Sequence, residues 1–375
     1  MRRWLFTLLP IVGVVAAYLL VWPVPIEAQA WVVKPDAGYT GAHASNTALA
    51  GLQTLDLGGE EGPEHVQIGP DGRLYAAVAS GKVLRMSQEG TAFETFADTQ
   101  GRVLGFDFDR AGHMIAADAM RGLLRIDPRG QVSVLADRVD GVPILYADAV
   151  VVSRAADAPE RIYVSDASMR FGAKAWGGTF EASVLDILEQ SATGRILVVD
   201  GASGQVEEVV RGLSFANGVT LSADEQTLFV AETGRYRIWA VPASARNLDL
   251  SSGPAGGARI LLDNLPGYPD NLMRGLDGRI WVGLTKPRSP VIDRMAAQPL
   301  LREMTLRLPR ALWPIPKAYG HVFAFTEDGQ VVVDWQDPSG AYPETTAVTE
   351  TPERLYVQSL HAPTLGWLPR PDALR

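Results

Sequence analysis

The chain has 375 residues, 47% hydrophobic and 21% charged, with 37 Gly and 25 Pro, a composition that suits a large, turn-rich globular body and leaves little room for disorder. A formal net charge of −9 and an isoelectric point near 5.2 exclude a basic nucleic-acid-binding surface, because phosphate contacts need clustered Lys and Arg. The absence of cysteine excludes disulfides, thiolate metal sites and cysteine nucleophiles.

At the start of the chain, Arg2 and Arg3 precede an apolar run from Trp4 to Trp22, about the ~20 residues that cross a bilayer as a helix. Positive charge ahead of such a run keeps the N-terminus cytoplasmic and sends the rest across. The expected organisation is a cytoplasmic tail at 1–3, a transmembrane signal anchor at 4–22, a spacer at 23–58 and a body at 59–372 on the periplasmic or extracellular side. Ala28-Gln29-Ala30 has the small-x-small form of a cleavage site, so a removable signal peptide is the alternative. The run is longer than the roughly 7–15 residues of a signal core, which favours the anchor.

From Gln53 onward one phrase recurs: a turn rich in Asp, Gly or polar residues, then a strand with an aromatic or aliphatic centre. It is centred on Tyr75, Ile115, Tyr163, Phe229, Trp281 and Tyr356. Six units of short strands at this spacing predict an all-β, six-bladed β-propeller; a β-sandwich or two smaller β-domains is the alternative. Two stretches, 169–190 and 290–316, carry helical apolar spacing in this β context and are expected as insertions over one face. The second holds Arg294, Arg302, Arg307 and Arg310 among Leu, Met and Trp, a pattern that either lies on an anionic membrane surface or packs on the propeller.

Aligned on their central residue, three units carry an oxygen ligand at the same place. Glu64 stands eleven residues before Tyr75, Asn217 twelve before Phe229 and Asp270 eleven before Trp281. The innermost strands of a propeller start beside its axis, so these side chains are expected to converge there. Carboxylate and amide oxygens suit a hard cation, calcium above all. Each residue also has an ordinary role available, as a solvated turn acid, an Asn-Gly turn or a strand cap. Recurrence in register is what sets them apart.

The segments "GPE", "FANGV", "VAETGRYRI", "LPGYPDN" and "WVGL" resemble the strictosidine synthase-like group of six-bladed propellers, its adipocyte plasma membrane-associated branch in particular. The likeness extends to the N-terminal run followed by "PVPIEAQAW", and more distantly to gluconolactonases and paraoxonases. It implies that Glu64, Asn217 and Asp270 are calcium ligands, with Asn271 able to contribute. One departure stands out: where the hydrolytic relatives offer an Asn from blade three, this chain has Ala147 followed by Asp148. Glu350 matches the place of the acid-base glutamate of the plant synthase, and His361 follows the last blade strand near the expected channel mouth. The paired histidines of paraoxonases have no counterpart, and His65, His113 and His321 do not look catalytic.

These residues imply a membrane-anchored, calcium-dependent hydrolase of small apolar lactones or aryl esters. Asp148, Glu350 or His361 would activate water, and 290–316 would also meet the membrane. A non-catalytic propeller with a structural axial calcium, and a metal-independent synthase-like lyase, remain as alternatives.

Overall fold

The computed structural model describes residues 2–374, with the side chains of residues 2–9 outside the described set. Six antiparallel sheets of four strands, one extended to five by a short parallel strand, succeed one another along the chain. Their innermost strands are His65–Ile68, Val103–Phe108, Ala147–Val152, Ala216–Leu221, Gly267–Arg274 and Thr345–Glu350. Each packs beside the next, and the sixth returns to the first, closing a six-bladed propeller.

The recurring central residue explains the repeat. Tyr75, Ile115, Tyr163, Phe229, Trp281 and Tyr356 lie in second strands, and each belongs to a different apolar cluster. Each of those clusters joins one blade to the following one, so every unit places a large apolar side chain of its second strand in the seam ahead of it. Such a residue contributes about 1.5–3 kcal/mol when fully buried.

The ring is closed by a strand that lies within the segment expected as spacer. Gln53–Asp56 pairs antiparallel with the outermost strand of blade six, Gln53 opposite Trp367 and Asp56 opposite Thr364. The body therefore begins at Gln53 rather than at residue 59. The remainder of the spacer follows the protein surface in contact with it: Gln29 N donates to Glu189 O, Trp31 N to Ala296 O and Leu49 N to Gln336 O.

Residues Arg2–Val21 form one helix with Pro10 inside it. Among the described residues no helix is long and apolar enough to cross a membrane. The anchor expected at 4–22 falls in part on residues whose side chains lie outside the described set.

The two insertions form helices Thr179–Glu189, Pro290–Arg294 and Pro299–Arg307, which cover one face of the ring. An apolar cluster that includes Leu185, Leu188, Phe215, Ile292 and Ile26 fastens this lid to the propeller. Two arginines of the second insertion turn inward, unlike a basic face held toward a bilayer. Arg302 is fully buried and donates to the carbonyls of Leu188, Gln29 and Ala296. Arg307 donates to Trp22 O at 2.7 Å and Leu19 O at 3.1 Å. Free carbonyls at helix ends need donors, and these guanidinium groups supply them.

Arg302 thus ties both lid segments to the chain leaving the N-terminal helix. Arg302→Met is expected to lower stability by about 2–4 kcal/mol, since it strands buried carbonyls; urea unfolding of the purified protein measures it.

Candidate metal and substrate site on the propeller axis

The inner strands do not run straight into the ring. Their pairing slips between Val103 and Gly105, Ala147 and Val150, Ala216 and Val219, Pro269 and Leu272, and Thr345 and Val348. A bulge re-aims one side chain, and here the re-aimed residues include Leu104, Asp148, Asn217 and Asp270, all of which line one cavity of about 400 Å³. Glu64, immediately ahead of the first inner strand, lines it too. Thr346 holds the sixth place, and its hydroxyl donates to Glu64 O at 2.8 Å. Close approach requires a small residue after the floor position: a Cβ on Gly218 would stand 2.4 Å from Asp270 O.

Three carboxylates, Glu64, Asp148 and Asp270, are therefore buried around one floor. Burial, then the charge of Asp270, pushes the Glu64 carboxyl well above the usual range; Arg102 opposes this and Asp148 adds to it. Burial and the Asp270 charge raise Asp148 likewise, against Arg102. Burial pushes Asp270 up to about 7, with the side-chain hydrogen bond of Asn217 opposing. Arg102 approaches Glu64 at only 3.7 Å. Glu64 Oε2, Asn217 Oδ1 and Asn271 Oδ1 are buried without any hydrogen-bond partner. Acceptor-only oxygens without donors, beside mutually repelling acids, fit a hard cation, and calcium takes such oxygen ligands.

A second layer stands two residues earlier on each strand, as the period of a β-strand requires. Arg102, Tyr146, Phe215, Tyr268 and Glu344 occupy these places and form the cavity wall. Buried acids at the ends of three second strands hold this layer in position. Asp118 accepts from Arg102 N at 3.1 Å, Asp166 from Tyr146 N at 3.0 Å, and Glu232 from Ser214 N at 2.9 Å. Lid residues Phe180, Val184, Ile187 and Trp313 complete an apolar upper part.

Glu344 forms ion pairs with Lys286 and His361 at the rim. Burial raises its carboxyl, but hydrogen bonds from His361 and Lys286 outweigh this and hold it down at about 2.

The structure brings Glu64, Asn217, Asp270, Asp148 and His361 to one cavity. Asp148 lies on its floor beside Ala147, which faces Asp166 in the strand pair. Asn271 is outside the lining and donates from Nδ2 to Glu64 Oε1 at 3.2 Å, so it orients a floor carboxylate. Glu350 is separated from the site. It sits at the far end of its strand and accepts from Arg370 Nε at 2.8 Å, Trp281 Nε1 at 2.9 Å, Arg279 Nη1 at 3.1 Å and Leu276 N at 3.1 Å. With its oxygens bound in this way, it ties blade five to blade six. The sequence reading missed Arg102, Tyr146, Tyr268 and Glu344; counting back two residues from each floor position would have found them.

The fold and site define a six-bladed propeller with an acid–amide floor on its axis and an apolar lid. Residues 71–312 match the family described as SMP-30/Gluconolactonase/LRE-like region, and residues 41–86 match "Strictosidine synthase-like, N-terminal". The chain belongs to the SMP-30/gluconolactonase/LRE-like family. It is 28% identical over 353 residues to Protein STRICTOSIDINE SYNTHASE-LIKE 10 of Arabidopsis thaliana, covering 86% of this chain and 89% of the relative. It is also 28% identical over 387 residues to the adipocyte plasma membrane-associated protein of Danio rerio, covering 96% and 87%. Among solved structures, a gluconolactonase from Xanthomonas campestris superposes with a TM-score of 0.61 at 19% identity, covering 93% of this chain and 97% of that one. A calcium-binding protein, regucalcin, from Agrobacterium tumefaciens gives 0.56 at 15%, covering 84% and 93%. At these identities the two structures show a common fold.

A cation that enters the floor must displace the protons that its acids hold. Asp270 keeps its proton up to about pH 7, so calcium affinity is expected to rise between pH 5 and pH 7.5, roughly tenfold per unit while one proton leaves per ion. Calorimetric titration in buffers of different ionisation enthalpy measures the protons released, and Asp270→Asn should remove part of them.

Proposed function

We propose that this protein is a calcium-dependent hydrolase of small apolar lactones or aryl esters. The observation that carries this reading is the buried floor of three carboxylates with orphaned amide oxygens, placed beneath an apolar cavity large enough for a small ester. Glu64, Asn217 and Asp270 would hold the ion, with Asp148 beside them. Calcium bound there supplies Lewis-acid polarisation of the scissile carbonyl.

The chain's own residues supply the rest. The Asp148 carboxylate, whose hold on a proton is strengthened by burial and by the charge of Asp270, takes a proton from the attacking water. Arg102, in the cavity wall 3.7 Å from Glu64, offers a positive charge toward the negative charge that develops on the carbonyl oxygen. Phe215, Tyr268 and the lid residues Phe180, Val184 and Trp313 receive the apolar part of the ester and keep bulk water away from it. Glu344, bound by His361 and Lys286, fixes the rim.

The same reading places the protein at a membrane, with the N-terminal helix as anchor and the body on its exported side. Supporting this, the helix ends against the lid, where Arg307 binds its last carbonyls, and Trp22 just after the helix and Leu300, Leu301, Leu312 and Ile315 of the second insertion are exposed. An apolar substrate leaving the bilayer would meet the lid first. Carbonate extraction of membranes from cells making the full chain tests this: the chain stays with the lipid if the helix spans it, and is released if it does not.

The hydrolase reading is tested by kcat/KM for phenyl acetate and a panel of lactones, with chelator and with calcium restored. Turnover is expected to vanish with chelator and to return with calcium. Asp148→Asn and Asp270→Ala are each expected to lower kcat/KM by about 100-fold or more, whereas Glu350→Gln should leave residual activity in whatever fraction of the protein folds. Turnover indifferent to chelator and to Asp148→Asn would overturn the proposal, and bound calcium without turnover on any substrate would assign the ion a structural role.

A further inference from the structure

A second group of metal-ligating side chains lies outside the axial cavity, on the outer part of blade five. His321 belongs to the strand Gly320–Phe325 and Asp334 to the outermost strand, Val331–Asp337. His43 comes from a distant part of the chain, the single turn Gly41–His43 in the segment between the N-terminal helix and the propeller. Both imidazoles meet the same carboxylate oxygen: His43 Nδ1 and His321 Nε2 each stand 2.7 Å from Asp334 Oδ2. One ligand atom from each of the three residues lies within 4.8 Å of the other two.

The surroundings separate the two oxygens of Asp334. Asn46 Nδ2, at 3.4 Å, and Gln336 Nε2 donate to Oδ1, while Oδ2 faces the imidazoles. Amide donors on one carboxylate oxygen with imidazoles at the other match the way outer groups orient a metal-binding carboxylate. Aromatic rings fix the imidazole planes. Phe323 stands 4.9 Å from His43 between ring centroids, and Tyr39, stacked on Tyr319 at 4.6 Å, stands 5.7 Å from His321. The side chain of His321 is 1% exposed, that of Asp334 7%, and that of His43 16%, which leaves a narrow approach from the His43 side.

We propose that His43 Nδ1, His321 Nε2 and Asp334 Oδ2 form a site for a zinc-class divalent transition metal that fastens the N-terminal segment to blade five. Two imidazoles and one carboxylate suit zinc or its neighbours in the first row, unlike the all-oxygen floor on the axis. Zinc–ligand bonds of about 2.0–2.2 Å in a tetrahedron set neighbouring ligand atoms roughly 3.3 Å apart, so the two histidines need to move outward by about 0.6 Å. The fourth position, toward the His43 side, is left for water.

The test uses the full chain, stripped of metal by a chelator and titrated with Co2+ as a spectroscopic probe for zinc, with calcium present to fill the axial floor. One equivalent of Co2+ is expected to give visible d–d bands of tetrahedral strength, zinc is expected to displace it, and zinc should raise the thermal midpoint. His43→Ala, on the peripheral segment, should weaken Co2+ binding by about 100-fold or more, and Asp334→Asn should abolish the bands if it folds. Asp270→Asn should leave them intact. A wild-type protein that shows no bands, or bands that survive His43→Ala, would overturn the proposal and leave the three residues as a hydrogen-bonded clasp.

Discussion

Mutual repulsion among buried acids is the constraint on which the rest of this structure depends. Glu64, Asp148 and Asp270 are brought to the axis by three separate blades; burial makes all three harder to ionise, and the charge of Asp270 adds to this at Glu64 and Asp148. Uncompensated charge of this kind is strongly unfavourable in a protein interior. The fold sustains it because the six seams between blades are apolar and independent of the axis.

The same division sorts the other charged groups. Glu350, Glu232 and Asp166 are as buried as the floor acids, yet they are met by arginines or by backbone N–H groups and hold strands in register. A buried acid with its donors in place is part of the frame. Glu64 Oε2, by contrast, is buried without a hydrogen-bond partner among the described residues and has only Arg102 at 3.7 Å.

Much of the fold and half of the site could be read from the residues in order, and the reason is periodicity. Each repeat places one large apolar residue in a seam, so Tyr75 through Tyr356 mark the blades, and a fixed offset from them locates Glu64, Asn217 and Asp270. Asp148 was harder to place because a loop lengthens its unit, putting it fifteen residues ahead of Tyr163. Glu350 followed from likeness to a relative, but it stands four residues beyond the floor position of its own strand, roughly 13 Å along it. What depended on distant pairing was invisible. Nothing local distinguishes Gln53–Asp56 from a spacer, and helical spacing shows where Arg302 and Arg307 lie on a helix but not which carbonyls they will find.

That closing strand has a consequence for how the ring is made. Its partner, Thr364–Pro369, is the last strand of the propeller to leave the ribosome, while Gln53–Asp56 is the first. Throughout synthesis the first strand has no neighbour to pair with, and five growing blades have no circle to complete. Contacts so remote in sequence form slowly, and an unpaired strand edge is open to the wrong partner until they do. The propeller is therefore closed in a late step that joins its first strand to its last, and loss of Thr364–Pro369 would leave an open arc.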